Sequence, residues 1–391
     1  MNEKSRIYLD NAASTPIDSV VGEAMMPFLL DHYGNPSSLH EMGRKTTLAL
    51  SKSRHHVSKL IGANSSEIYF TSGGTEANNL ALIGYAKTIK KLRPDCNRIL
   101  VSEIEHESIL ETVRYLENDM KFSVDFIQTT SDGFVDLKSY AELLSPKTCL
   151  VSVMLVNNEI GTIQPIQSMI EILKKRNYNT LFHSDGVQAL GKIPIDVHRM
   201  KLDMLSISSH KINGPKGIGA LYIRKGICIE PIVYGGGQEM SLRSGTENVY
   251  SIVGFGKACE IWKNKIHDSN SIVQDLQNYM INRVTGEIPE SSINGSLQNR
   301  ISNNLNFSFK GINGEDLLVK LDEYGIEAST GSACSSNKKK KASHVLKSLG
   351  LSYDEISGSI RFSIGSQNTL EELEVAINVL KDVLHEFRNS N

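Results

Sequence analysis

The stretch Asp203-Met-Leu-Ser-Ile-Ser-Ser-His-Lys-Ile-Asn-Gly-Pro-Lys-Gly217 sets a lysine directly behind a short apolar run. The run predicts a strand over 203–208, so Lys211 stands just past a strand end, with Ser208 and His210 before it and a rigid Gly-Pro turn after it. A lysine beside hydroxyl and imidazole donors suits a Schiff-base amine held next to a phosphate. The bland alternative is a solvated lysine behind a strand, a reading that Lys216 and Lys225 fit better.

Four further clusters carry chemical potential. In Thr71-Ser-Gly-Gly-Thr-Glu76 two glycines lie between a predicted strand and a helix opening near Thr75. Gly74 and its neighbour let backbone N–H groups approach an anion at the helix N-terminus, and Thr75 adds a hydroxyl. A plain turn with a threonine cap explains the same residues. The stretch lacks the GK[ST] of a Walker motif and the third glycine of a dinucleotide fingerprint. In Phe182-His-Ser-Asp-Gly-Val-Gln188, Asp185 ends a predicted strand, where open α/β sheets bind ligands. Its carboxylate could hold a protonated pyridine nitrogen and Gln188 could reach a phenolic oxygen; the alternative for Asp185 is a helix N-cap. His106, in Ser102-Glu-Ile-Glu-His-Glu-Ser108, could stack on a planar cofactor or move protons, or be a satisfied structural histidine. Finally, Thr330-Gly-Ser-Ala-Cys-Ser-Ser336 places Cys334 in a Gly/Ser loop, unlike a core cysteine, which hints at nucleophilic use. Cys96, Cys149, Cys228 and Cys259 read as structural. The lysines from Lys338 to Lys341 read as solvated, with a lowered thiol pKa or an acidic partner as alternatives.

These residues need a scaffold of alternating strands and helices. Strands are predicted over 67–71, 98–102, 149–156, 180–183 and 203–208. Ile166, Met169, Ile170 and Leu173 follow one face of a helix. Strands apolar along their length imply a parallel sheet covered on both faces. Ile252, Phe255, Cys259 and Trp262 form a helical stripe leading away from that sheet. Residues 291–304 read as a polar loop, 305–309 as a half-exposed strand, and Leu373, Ala376, Ile377, Leu380, Leu384 and Phe387 as an amphipathic terminal helix. The expected architecture is an α/β large domain over 15–262 with a mostly parallel sheet, and a smaller α+β domain made of 1–14 and 263–391.

Composition narrows the class. The 391 residues are 40% hydrophobic and 22% charged, ordinary globular usage, and 42 basic against 44 acidic residues give a net charge of -2. No whole-protein basic field for nucleic acid is present. The N-terminal MNEKSRIYLDN is too charged for a signal peptide, and no apolar run approaches the roughly 18 residues of a spanning helix. Five scattered cysteines fit a reducing, cytoplasmic setting.

Taken in order, YLDNAAST, GNPSSLH from Gly34, FTSGGTEANN from Phe70, VNNEIGTIQP from Val156, SDGVQALGKIPID from Ser184, SSHKINGPKGIGALY from Ser208, GGGQEMSLRSGTENV from Gly235, GSACSS from Gly331 and IRFSIG from Ile360 resemble the NifS/IscS-type cysteine desulfurases. These are pyridoxal-phosphate enzymes of the class-V aminotransferase family, with the aspartate-aminotransferase fold (fold type I). The resemblance runs from about residue 7 to about residue 366. It implies pyridoxal 5'-phosphate on Lys211 as the Schiff-base lysine, with Gly74, Thr75, Ser208 and His210 as the phosphate cradle. It implies Asp185 at the pyridine nitrogen, Gln188 at the phenolic oxygen and His106 stacked on the ring. Asn158 and Arg361 would contact the substrate, Arg361 taking its carboxylate bidentately. Thr246 would reach the phosphate of a neighbouring subunit, which implies a homodimer.

The implied chemistry is removal of sulfur from L-cysteine. L-Cysteine displaces Lys211, proton transfer is carried by Lys211 and His106, and the Cys334 thiolate takes the sulfur as a persulfide while L-alanine leaves. A sulfur-acceptor protein would follow, such as an iron–sulfur scaffold, with tRNA thiolation and DNA sulfur systems as other destinations. Sharing an iron–sulfur cluster with such an acceptor is the one metal role the resemblance allows Cys334. The chain departs from the family pattern at the lysine cluster after Cys334 and at Gly186, where alanine is usual. Rival readings are a selenocysteine lyase or another pyridoxal-phosphate transferase, an inactive scaffold, and a nucleotide-binding dehydrogenase.

Overall fold

The computed structural model describes residues 6–330 and 342–389. Cys334 and the lysines from Lys338 to Lys341 lie outside the described residues. The central sheet has seven strands in the order Ile68–Thr71, Gly219–Ile223, Met204–Ser208, Leu181–Asp185, Thr148–Ser152, Arg98–Ser102 and Ser123–Ile127. Only Gly219–Ile223 runs antiparallel to its neighbours, so the sheet is mostly parallel as the apolar strands imply. Successive side chains alternate between two cores. Leu100, Val151, Phe182 and Leu205 join one, with the helices Glu41–Leu60, Ile166–Arg176 and the start of Val249–Glu287. Ile99, Val101, Leu150, Leu181 and Met204 join the other, under Gly74–Leu92 and Glu107–Asn118.

A third core surrounds the antiparallel strands Ser291–Ile293, Asn304–Phe309 and Ser359–Ser363, the helix Gly314–Glu323 and the terminal helix Leu370–Asn389. Five residues of the expected terminal stripe are buried in it and Phe387 packs against it. The helix Val249–Glu287 links the cores: Ile252, Phe255, Cys259 and Trp262 enter the first, Val273, Leu276, Met280 and Val284 the third. Ile7 and Leu9 return to the third core, beside a two-stranded pairing of Ile7–Tyr8 with Ile326–Glu327.

Several expectations are corrected. The apolar run 149–156 is not strand throughout: the strand is Thr148–Ser152, and 153–156 turn toward the next strand's end, Leu155 N donating to the Asp185 carbonyl at 2.8 Å. The polar stretch 291–304 is not all loop, because Ser291–Ile293 is a short edge strand whose partner is Asn304–Phe309. Asn304–Phe309 is buried at all six positions rather than half exposed. Its polar side chains meet protein instead of water: Asn304 and Asn306 donate to the carbonyls of Asn158 and Glu159, and the Asn294 amide donates to Asn306 and Ser308. Cys228 is exposed and has no core role, whereas burial in the core pushes the Cys149 thiol up to about 12.

Candidate active site

Strand ends deliver most of the chemistry-bearing residues to one cavity of about 230 Å3. Gly74, Thr75, His106, Asn158, Asp185, Gln188, Ser208, His210, Lys211 and Arg361 all line it. Asp185 is the last residue of Leu181–Asp185 and Ser208 the last of Met204–Ser208, so the cavity sits at the carboxyl edge of the parallel strands, the crevice that open α/β sheets offer ligands.

Each side chain has a local cause. Lys211 ends a 3-10 turn, Ser209–Lys211, that follows the strand at once. Its ammonium donates to the carbonyls of Ala12 at 2.5 Å and Ala13 at 2.7 Å, so the N-terminal segment forms one wall. The Asp185 carboxylate is buried, accepting from Asn78 Nδ2 at 2.7 Å and from the Val187 backbone N–H at 2.9 Å. Behind it, His183 bridges Ser152 and Ser206 at 2.8 and 2.9 Å, tying three neighbouring strands together. Burial pushes that imidazole down to about 3 and keeps it neutral. His106 caps the helix Glu107–Asn118, its Nδ1 accepting from the Ser108 backbone N–H at 3.1 Å. Gln188 donates to the Ala12 carbonyl at 2.9 Å.

The cradle is built for an anion. Gly74 begins the 19-residue helix Gly74–Leu92, and a Cβ there would stand 2.7 Å from Val187 Cγ2. The helix N-terminus therefore approaches the cavity closely only because the residue is glycine. His210 is pushed down to about 4 by burial, then by the charges of Lys211 and Lys216. A second, more open cavity of about 400 Å3 continues from the same Gly74, Thr75, Ser208 and His210 and reaches Lys216. Thr246 is exposed and lines neither cavity, so within one chain it is not brought to the cluster.

Arg361 comes from Ser359–Ser363 and is 2% exposed. Its guanidinium pairs with Asp10 at 2.9 Å and donates to the Asn158 carbonyl at 3.0 Å. Its buried Nε–H has no partner among the described residues. A buried guanidinium N–H left unpaired costs free energy.

Sequence reading missed Asp10, Ala12, Ala13 and Asn78. The first three lie in YLDNAAST and Asn78 in FTSGGTEANN, motifs that had no role for these positions. The one signal for Asn78 is its spacing of one helical turn from Gly74, which puts both on one face.

These residues fit pyridoxal phosphate: a buried carboxylate for a ring nitrogen, a helix N-terminus with a neutral histidine for a phosphate, and a lysine between them. Among the described residues no group of three or more His, Cys, Asp or Glu side chains could hold a metal ion, and no helix is long and apolar enough to cross a membrane.

Comparison with known proteins agrees with the geometry. Residues 7–375 match the family model described as aminotransferase class-V. A cysteine desulfurase IscS of Dictyoglomus turgidum is 44% identical over 385 residues, covering 98% of this chain and 96% of the relative. The solved structure of a NifS-like protein superposes with a TM-score of 0.91 at 38% identity, covering 97% of this chain and 100% of the other. A structure titled SspA in complex with cysteine superposes with a TM-score of 0.80 at 34% identity, over 93% and 99% of the two chains.

Proposed function

This chain belongs to the class-V aminotransferase family and is an enzyme, a cysteine desulfurase with the NifS-like fold; we propose that it works through pyridoxal 5'-phosphate carried on Lys211 and through the thiol of Cys334. The observation that carries the site assignment is the convergence of Lys211, Asp185, His106 and Arg361 on one cavity. When bound, the cofactor supplies an electron sink that loosens bonds at the substrate α-carbon. The chain's own residues do the rest. Asp185, fixed by Asn78, holds the proton on the pyridine nitrogen. Gly74, Thr75, Ser208 and His210 would hold the phosphate, and Gln188 would serve the phenolic oxygen. Lys211 and His106 move protons at the α- and β-carbons of the substrate.

Arg361 and Asn158 orient L-cysteine. Arg361→Ala is expected to weaken substrate binding by about 10- to 150-fold, the equivalent of losing a charge-assisted contact of about 1.5–3 kcal/mol. Cofactor content should stay near wild type. Alanine production from L-cysteine, measured with no keto-acid acceptor, reads both the activity and the shift in KM; an unchanged KM in the variant would remove Arg361 from the substrate site. Production that required a keto acid would point to a transaminase instead.

The same reading makes the protein a cytoplasmic homodimer that hands sulfur to an acceptor protein, for iron–sulfur assembly or another sulfur-containing product, with Cys334 as the residue through which a cluster could be shared. Two observations support the dimer. The phosphate side of the site opens outward while Thr246 stands exposed on its own chain, free to serve a second copy. The helix Ser19–Leu30 and the residues after it expose Val20, Met26, Leu29, Leu30 and Tyr33, a run of apolar surface that a partner would cover. Sedimentation of the holoenzyme is expected to give a dimer; a monomer with full cofactor occupancy would remove the role of Thr246. The large unit is taken as 15–262 and the small one as 1–14 with 263–391, a division supported by the separate cores on either side of Trp262 and Val273.

A further inference from the structure

Behind the cavity, a small apolar cluster joins the helix His344–Ser348 to the two segments that carry His106 and Asn158. Val345, Leu346 and Leu349 pack on Ile104 and Ile160. Two polar contacts accompany the packing. The Ser343 hydroxyl donates to Glu159 Oε2 at 2.5 Å while capping the helix through the Leu346 N–H, and His344 Nε2 lies 2.9 Å from the Glu105 carbonyl. Glu159 is 4% exposed, and the Arg361 guanidinium and the imidazoles of His344 and His106 are its neighbours. Its own backbone is pinned, with the N–H groups of Glu159 and Ile160 both donating to Asn157 Oδ1. A buried carboxyl is costly unless its hydrogen bonds are made, and the Ser343 hydroxyl, from 184 residues away, makes one of them and so ties the two segments together.

We propose that Glu159 is a positioning residue: with Ser343 it forms a buried clasp that fixes the chain nine residues beyond Cys334 to the wall of the substrate cavity, in register for sulfur transfer. The inference rests on the desulfurase reading. The step it serves converts the Cys334 thiol and L-cysteine into a Cys334 persulfide and L-alanine. The S–S bond forms as the substrate Cβ–S bond breaks, and the carbon keeps that electron pair and takes up a proton, so no outside oxidant or reductant enters. A fixed tether end close to the cavity raises the local concentration of the attacking thiol without touching the substrate.

The test follows a single turnover of the holoenzyme with L-cysteine by two readouts: the cofactor's absorbance response, and the persulfide on Cys334 by mass spectrometry. Ser343→Ala and Glu159→Leu are expected to slow persulfide formation about tenfold while the absorbance response stays within about twofold of wild type. Ser343→Thr and Glu159→Gln, which keep a hydrogen-bonding pair, are expected to restore the rate. Should Glu159→Leu not hold cofactor, Ser343→Ala decides alone, since it deletes one hydroxyl. An unchanged persulfide rate in Ser343→Ala, or a rate that falls in step with the absorbance response, overturns the clasp and leaves the desulfurase reading standing. A wild-type protein that forms no persulfide overturns that reading, and the clasp with it.

Discussion

Lys211→Ala is expected to lose turnover by about four orders of magnitude, together with the near-visible absorbance of a lysine-linked cofactor. The size follows from two roles in one side chain. In the proposed site the amine would be the displaceable partner of the cofactor and also a base for the substrate carbon. No second lysine lines the 230 Å3 cavity among the described residues, and Lys216 stands in the outer cavity on the phosphate side. Added alkylamines should restore part of the activity, because the deletion leaves the cavity and the Ala12 and Ala13 carbonyls in place. A variant that kept the lysine-linked absorbance would transfer the role to Lys216.

The residues that stand out from local pattern alone share one property: each sits at a junction whose meaning is visible within a dozen positions, whereas Asn158, Arg361 and Thr246 were reached only through the family resemblance. Ser208, His210 and Lys211 follow a strand, Asp185 ends one, and Gly74 opens a helix. What stayed hidden is long range. Arg361 and Asp10 are 351 positions apart, and the Lys211 contacts with Ala12 and Ala13 span nearly 200, so no periodicity links them. Burial of a polar strand face was hidden for the same reason. Asn304, Asn306 and Ser308 look like the wet side of Asn304–Phe309, yet they are covered, and the two asparagines meet backbone carbonyls of the Asn158–Glu159 turn. The strand Ser291–Ile293 was missed because a three-residue edge strand carries too few residues to show an alternation. The helix Val249–Glu287 was seen only at its first half, since its buried stripe changes from one core to another part way along.

Cys334→Ala is expected to separate substrate handling from sulfur transfer. The side chains proposed to hold the cofactor and the substrate are untouched by this change, so cofactor content and the absorbance response to L-cysteine should match wild type. Removing the nucleophile takes away the only proposed acceptor for sulfur, and alanine formation should fall by roughly two orders of magnitude or more. Neither Cys149 nor Cys259 can substitute, because burial holds both thiols far above the range where a thiolate forms. Cys228 is exposed but does not line the cavity. Selenocysteine serves as a control: a lyase that needs no protein thiol would process it, and cysteine, equally well without Cys334.

The most direct measurement is therefore the mass of the peptide spanning position 334 from the wild-type holoenzyme and from Cys334→Ala after a single turnover of L-cysteine, with alanine counted in the same samples. One added sulfur on Cys334 per alanine is expected in the wild type, and neither product in quantity from the variant. Near-normal alanine and released sulfur from Cys334→Ala, with no sulfur found on Cys334 in the wild type, would contradict it.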